Sequence, residues 1–212
     1  MAYDLEEQEQ LATLKAWWNT YGNLVTWLLV LALAAFSGWT YYNNDKRSKA
    51  LEAATLYQEM DAALNAKDAA KINRVAQDMQ TRFAATPYAV MASLRAAKAA
   101  FDANDLKTAK SMLQWVVTHE KEGEALALAR LRLAGVLLDE KAYDEGMKQL
   151  SAEFPPAFAA QVADRKGDIL LAQGKTADAR AAFEEALKKT GEKDALHQLL
   201  KFKLDALGGA KA

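Results

Sequence analysis

The chain has 212 residues, a formal net charge of −1 and no cysteine. These values exclude a disulfide framework, a thiolate metal site and a cysteine nucleophile. Because charges of both signs are mixed and nearly cancel, the composition gives no support for binding to nucleic acid, and we expect none among the partners.

Residues 1–21 form an acidic N-terminal tail in which Lys15 is the single basic residue. Apolar side chains recur in the tail at helical spacing, at Leu11, Leu14, Trp17 and Trp18. This spacing predicts a short amphipathic helix. Two arrangements fit the pattern. Either the helix lies on a membrane surface, or it extends the segment that follows.

Residues 22–42 contain no charged side chain, and their centre is mostly Leu, Val and Ala. At about 1.5 Å per residue, a helix of this length matches a bilayer hydrocarbon core of about 30 Å. Aromatic residues flank the run at both ends, as in the interfacial belts of membrane proteins. We therefore predict one transmembrane helix that contacts the lipid bilayer over residues 22–42. The small residues Ala32 and Ala34 lie inside the run, so we expect an uncleaved anchor rather than a signal peptide.

Residues 48–207 are rich in alanine, and their apolar residues recur at helical rather than alternating spacing. This pattern predicts an all-α domain of about nine helices, the last of which closes the domain over residues 192–207. The breaks between helices are expected near residues 65–68, 86–87, 104–105, 122–123, 140–143, 155–156, 173–175 and 190–191.

The segment from Gly167 to Ala186 has the spacing of a tetratricopeptide repeat, with Gly174, Ala179 and Phe183 at the intervening positions. We expect the small residues 167 and 179 to let two antiparallel helices touch, residue 174 to form the turn, and residue 183 to pack against the next repeat. The same frame fits upstream at Ala134, Lys141, Gly146 and Leu150, and again at Ala97, Asn104, Ala109 and Leu113.

A weaker first repeat covers residues 48–86. The predicted fold is therefore all-α, a single N-terminal transmembrane helix followed by a tetratricopeptide-like solenoid of helical hairpins.

The sequence contains no pattern that predicts catalysis. His119 and His197 lie far apart and lack the i, i+4 partner of a helical metal site. We expect His119 at a helix end, and His197 at the surface or rim of the terminal helix. Phosphate-loop and nucleophile-elbow patterns do not occur. The sequence thus predicts a non-enzymatic protein with no catalytic residue, no metal and no cofactor.

The first helix of each pair lines the concave side of such helical arrays. Several candidates on this side are apolar, which suits an extended peptide or a partner helix. The alternative for each leucine is a place in the core. The candidate partner-binding residues are Met91, Leu94, Lys98, Phe101, Leu128, Leu131, Leu138, Gln161, Asp164 and Asp168.

Six short segments occur in order along nearly the whole chain. They are Glu6-Glu7-Gln8-Glu9, Leu14-Lys15-Ala16-Trp17-Trp18, Tyr21-Gly22-Asn23, Gly38-Trp39-Thr40-Tyr41-Tyr42, Phe83-Ala84-Ala85-Thr86-Pro87-Tyr88-Ala89 and Leu199-Leu200-Lys201-Phe202-Lys203-Leu204. In these segments the chain resembles the YfgM-like family, the ancillary subunits of the bacterial SecYEG translocon.

The resemblance implies a single-pass protein of the bacterial inner membrane, with the N-terminus in the cytoplasm and the C-terminal domain in the periplasm. It also implies a scaffold or co-chaperone function. The implied partners are the SecYEG translocon, a membrane-anchored periplasmic chaperone of the prolyl-isomerase type, and unfolded exported polypeptides.

The basic residues favour the opposite topology, because Lys46, Arg47 and Lys49 follow the anchor whereas Lys15 alone precedes it. The alternative is therefore a cytoplasm-facing, membrane-anchored tetratricopeptide adaptor or regulator. We follow the resemblance, since long translocated domains obey the positive-inside rule weakly.

Overall fold

The computed structural model describes the backbone of residues 3–208 and the side chains of residues 7–208. The side chains of Asp4 and Glu6, which belong to the predicted acidic tail, lie outside the described residues. Over the described range the chain forms nine α-helices, one 3₁₀ turn and no strand, which confirms the predicted all-α fold.

The helices are α1 (Tyr3–Asn65), α2 (Ala69–Arg82), α3 (Pro87–Asp102), α4 (Leu106–His119), α5 (Glu124–Asp139), α6 (Tyr143–Leu150), α7 (Ala159–Ala172), α8 (Thr176–Lys188) and α9 (Ala195–Ala206), with the 3₁₀ turn at Pro156–Phe158. The chain divides into two compact units, Met1–Leu51 and Glu52–Ala212. The boundary between the units falls within α1.

In the first unit, α1 continues without a break from the predicted tail through the predicted span. Among the described residues it is the one helix long and apolar enough to cross a membrane, and its apolar part is not buried in protein. The Thr26 hydroxyl donates to the Gly22 carbonyl at 2.7 Å, which satisfies a polar group within the apolar run. Of the two arrangements open from the sequence, the structure shows the tail as a helical extension of the span.

Residue 48, where we placed the start of the repeat domain, lies inside α1 and is not a helix boundary. The chain continues as a helix here because residues 43–50 contain neither Gly nor Pro. An ion pair one turn apart, Lys49 Nζ to Asp45 Oδ2 at 2.8 Å, adds to its stability.

The second unit is a series of helical hairpins. The C-terminal part of α1 is followed by α2, and the pairs α3/α4, α5/α6 and α7/α8 follow in order, with α9 at the end. Each hairpin turns through a residue of positive φ at an equivalent position of the repeat frame: Lys67 (52°), Asn104 (60°), Lys141 (60°) and Gly174 (77°).

The four turns also share one hydrogen-bond pattern. The amide after the positive-φ residue donates to the carbonyl five residues earlier, as in Asp105 N to Ala100 O at 2.8 Å and Lys175 N to Leu170 O at 2.9 Å. This is the Schellman arrangement, which satisfies the last carbonyls of a helix. The backbone thus repeats at every turn of the predicted frame, including the weak first repeat.

The close approach of α7 and α8 depends on Gly167. A Cβ atom at this position would lie 2.4 Å from Phe183 Cε1, and Phe183 is fully buried with Ala179, Ala186 and Leu200. The small residue is therefore needed, as predicted. The Phe183 ring covers Gly167 within its own repeat as well as contacting α9, whereas we had expected it to pack against the next repeat alone.

One local prediction was wrong, and one break is correctly placed but longer than predicted. His197 is buried, because its Nδ1 lies 2.9 Å from the Thr190 hydroxyl and α9 packs this side against the preceding pair. The break predicted at residues 155–156 is longer than expected, since α6 ends at Leu150 and α7 begins at Ala159. Adjacent prolines have no amide hydrogen to donate, and they favour the 3₁₀ turn found there.

Candidate functional site

The predicted partner-binding residues occupy equivalent positions on the first helices α3, α5 and α7. Relative to the small residues Ala97, Ala134 and Gly167, they stand at offsets of −6, −3, +1 and +4. We call these positions the first-helix stripe. The same offsets on α1, counted from residue 60, include Tyr57 at −3 and Asp61 at +1.

The stripe is divided between exposed and packed side chains. Met91 and Phe101 are 46% and 43% exposed, and Lys98 and Gln161 are exposed as well. Leu94, Leu128, Leu131 and Leu138 are half-buried. Leu94 packs against the core of the first repeats, and Leu131 and Leu138 pack against the next cluster. Leu94, Leu131 and Leu138 thus contribute to the core, and the exposed members are available for contact.

Three arginines of the first helices were missed by the sequence analysis. Arg95, Arg132 and Arg165 all stand at offset −2 in the repeat frame. That recurrence was the signal that could have revealed them. Each side chain extends to the preceding first helix. Arg95 donates to the Tyr57 hydroxyl at 3.0 Å and pairs with Asp61.

The next two arginines also contact the preceding first helix, but their partners are a backbone carbonyl and a glycine. Arg132 Nη1 donates to the Leu94 carbonyl at 3.3 Å. Arg165 covers Gly135, where an added Cβ would lie 3.4 Å from Arg165 Cζ. The guanidinium of the following helix therefore lies above the +1 position of α5, at a distance that would be an ordinary contact with an added Cβ.

A lysine of the closing helix ends this series. Lys203 Nζ lies 2.6 Å from Asp164 Oδ1 and 2.6 Å from Asp168 Oδ1, which are the −3 and +1 positions of α7. It also lies 5.0 Å from the centre of the Phe183 ring. Arg95 contacts the −3 and +1 positions of α1 in the same way. We call Arg95, Arg132, Arg165 and Lys203 the cation ladder.

Burial and pairing shift the pKa values of several groups along the ladder. Burial raises the pKa of Asp164 above its ordinary value, although the hydrogen bond from Lys203 acts in the opposite direction. Burial lowers the pKa of Arg132. For Arg95, burial lowers the pKa, but hydrogen bonds to Tyr57 and Asp61 outweigh it and the net shift is upward. The charges of Arg95 and Lys203 are therefore compensated by carboxylates of this chain, whereas Arg132 contacts a backbone carbonyl.

A cavity of about 570 Å³ lies beside the exposed end of the stripe on α3. Its apolar lining includes Leu64, Ile72 and Ala99, and its charged lining includes Arg95, Lys98 and Asp102. Lys98 Nζ and Asp102 Oδ2 pair with each other at 2.5 Å. Over residues 7–208, no group of three or more His, Cys, Asp or Glu side chains is placed to hold a metal ion.

The repeat geometry agrees with the comparisons with known proteins. A family model described as a tetratricopeptide repeat-like domain matches residues 15–209. A protein of Neisseria gonorrhoeae named ancillary SecYEG translocon subunit is 34% identical over 208 residues, which cover 98% of this chain and 100% of the relative.

The chain belongs to the family of ancillary SecYEG translocon subunits. Proteins of the same name from Haemophilus influenzae and Escherichia coli K12 are 27% and 29% identical over 98% and 95% of this chain, and over 100% and 96% of their own lengths. A comparison with solved structures gave no match.

As a member of this ancillary subunit family, the chain aligns with its relatives over both of its parts. The family match begins in the N-terminal tail and runs through the predicted span to the end of the described residues. The resemblance inferred from six short sequence segments is confirmed.

Proposed function

We propose that the chain is a non-enzymatic, membrane-anchored scaffold of the Sec translocon and that the first-helix stripe binds its partners. One observation carries the proposal: the full-length relatives are named as ancillary SecYEG translocon subunits. The apolar, unburied segment of α1 supports the anchoring role, and the helical hairpins supply a surface for protein contacts.

In this proposal the protein is a single-pass protein of the bacterial inner membrane. The N-terminal tail lies in the cytoplasm and the repeat domain lies in the periplasm, as the family resemblance implies. Lys46, Arg47 and Lys49 favour a second candidate, a cytoplasm-facing tetratricopeptide adaptor or regulator, because basic residues are more frequent on the cytoplasmic side.

The proposed partners are SecYEG, a membrane-anchored periplasmic chaperone of the prolyl-isomerase type, and unfolded exported polypeptides. Met91 and Phe101 expose apolar surface on α3, the helix that also lines the cavity, and this surface suits an apolar segment of a partner. Because Arg95 and Lys203 are paired with carboxylates of this chain, these two cations are expected to add little salt dependence to binding at the stripe.

A photo-crosslinking amino acid at position 101 of the full chain tests the binding face in native membranes. We expect crosslinks to translocon or chaperone subunits. The same probe at Glu184, an exposed position on the second helix α8, is the matched control and is expected to give none. Equal labelling from both positions, or no labelling from position 101 in a chain with intact helical content, would contradict the proposal.

A further inference from the structure

The cation ladder has a regular geometry that reaches the closing helix. Arg95 covers positions −3 and +1 of α1, and Lys203 covers positions −3 and +1 of α7. Lys203 therefore has the −2 position on α9 that Arg95 has on α3. In each of α1, α3, α5 and α7, the −3 or +1 position is thus contacted by a cation. That cation belongs to the next first helix along the chain, or to α9 in the case of α7.

This equivalence assigns the stripe positions of α9. If residue 203 stands at −2, then Leu199 stands at −6, Phe202 at −3 and Ala206 at +1. Phe202 is 71% exposed and Leu199 is 47% exposed. Ala206 is exposed too. Within residues 7–208 no further helix follows α9, and its −6, −3 and +1 positions form an apolar face open to solvent. A cation contact occurs at the end of the helix, where Arg180 donates to the Leu207 carbonyl at 2.7 Å.

We propose that a helix of another protein continues the series at α9 and places a single arginine or lysine over Phe202. The partner helix is amphipathic, and its apolar residues pack on Leu199 and Ala206. This interface extends the packing already present between successive first helices. It is a different surface from the exposed stripe on α3, so it goes beyond the proposed function.

The chemistry of the face specifies a cation. An aromatic ring attracts a guanidinium or ammonium placed over its face, and Arg is the more frequent partner. Asp205 is exposed one turn from Phe202 and supplies a counter-charge. Lys201, the preceding residue, is exposed and adds positive charge to this part of α9, which favours a partner with one cation in apolar surroundings over a wholly basic helix.

The test uses the full chain in native membranes with a photo-crosslinking amino acid at position 202, followed by mass-spectrometric mapping of the attached residue. We expect it to map to an amphipathic helix of a different protein, within one turn of an Arg or Lys. With the crosslinker moved to position 199, so that Phe202 keeps its ring, replacing that partner cation by Gln is expected to lower the crosslink yield by about fivefold. The same probe at Lys188, exposed on α8, is the control and is expected not to label that helix.

A second measurement distinguishes binding that needs the aromatic ring of Phe202 from binding that needs only its apolar surface. With the crosslinker at position 199, Phe202→Trp is expected to keep the yield and Phe202→Leu to lower it by about fivefold, because Leu has no ring to attract the cation. Thermal melts of the variants check folding, which an exposed side chain should not affect.

Attachment to lipid, to a second copy of this chain or to a segment without a cation would overturn the proposal, as would an absence of crosslinks. None of these outcomes bears on the result at position 101, so failure of this inference and failure of the proposed function are distinguishable.

Discussion

Lys203 is the side chain that fixes the closing helix to the last hairpin. Its ammonium group lies between two carboxylates of α7 and over the Phe183 ring. The side chains of Lys203 and Asp164 are 23% and 12% exposed, so the pair is largely removed from water. Removing one partner of such a pair leaves the other charge buried and uncompensated.

We predict that Lys203→Met lowers the free energy of unfolding by about 2–4 kcal/mol, because the methionine keeps most of the apolar stem but leaves Asp164 without its cation. Denaturant unfolding of the full chain in detergent, followed by circular dichroism, measures the change. The double variant Lys203→Met/Asp164→Asn should recover about half of the loss. A loss below about 0.5 kcal/mol in the single variant would show that the pair does not hold α9.

The raised pKa of Asp164 predicts a direction of pH dependence. When the folded pKa exceeds the unfolded one, the group stabilises the fold most below its unfolded pKa. That contribution is lost as pH rises through the folded pKa. Asp164→Asn cannot ionise, so its stability relative to the original chain should increase as pH rises from about 4 to 7. Unfolding curves at several pH values test this.

Asp105 provides a control of opposite sign. Its side chain caps α4 by accepting from Thr108, and this lowers its pKa. Its contribution is therefore present above the unfolded pKa and lost as pH falls. Asp105→Asn should lose stability relative to the original chain as pH rises over the same range. Stability profiles that change in the same direction with pH in the two variants would contradict one of the two assignments.

At the scale of helices and turns, the four hairpin turns share one backbone conformation although different residue types occupy them. Four equivalent positions have positive φ, yet Gly occupies the last one alone. A side chain in the left-handed region costs about 1 kcal/mol relative to glycine. The strain at Lys67, Asn104 and Lys141 is tolerated because the Schellman hydrogen bonds satisfy the helix ends.

Lys141→Gly should therefore raise the stability of the full chain by about 1 kcal/mol, and Gly174→Ala should lower it by a similar amount. Thermal melts by circular dichroism measure both. Lys148→Gly is the matched control, since this exposed lysine lies within α6, where glycine should cost about 1 kcal/mol. A lower melting temperature for Lys141→Gly would show that the turn is not strained.

Gly167 sets the distance between α7 and α8. Gly167→Ala should cost about 1–3 kcal/mol, because the new methyl group overlaps the buried Phe183 ring. Phe183→Leu removes the ring atoms that the new methyl group would contact. In a chain that already carries Phe183→Leu, Gly167→Ala should therefore lower the stability much less. If Gly167→Ala costs the same with and without the ring, the contact between residues 167 and 183 does not set this distance.

The helix boundaries could be predicted because their determinants are local. Pro87 begins α3, the Asp105 side chain caps α4, and Gly174 forms a turn. The continuity of α1 was harder to foresee, since a charged flank resembles a boundary even where nothing interrupts the helix. His197 was misplaced because its burial depends on Thr190 and on the packing of α9.

For the cation ladder, sequence spacing shows which residues are equivalent but not which residues they contact. The common offset of Arg95, Arg132 and Arg165 is visible in the sequence, but their partners are 30 or more residues away in contacts such as Arg132 to Leu94 and Lys203 to Asp164. Which side of a helix faces its neighbour follows from how successive hairpins pack. For the same reason the half-buried leucines could not be separated from the exposed Met91 and Phe101.

At the scale of the whole molecule, the chain combines an apolar helix with a set of helical hairpins. The apolar run of α1 is unburied in the first unit, and a bilayer would cover it. The second unit has its own cores and needs no lipid to form them. The family comparisons cover both units together, which supports a function that requires the hairpins to be held at a membrane.

The orientation of the anchor is the most direct test of the proposed periplasmic scaffold. Protease added to spheroplasts that contain the full chain should digest residues 50–212 without lysis, while a tag placed before residue 7 remains protected. This result would place the hairpins outside the cytoplasm, where exported polypeptides emerge. Protection of residues 50–212 until the spheroplasts are lysed would contradict it and would favour the cytoplasm-facing adaptor.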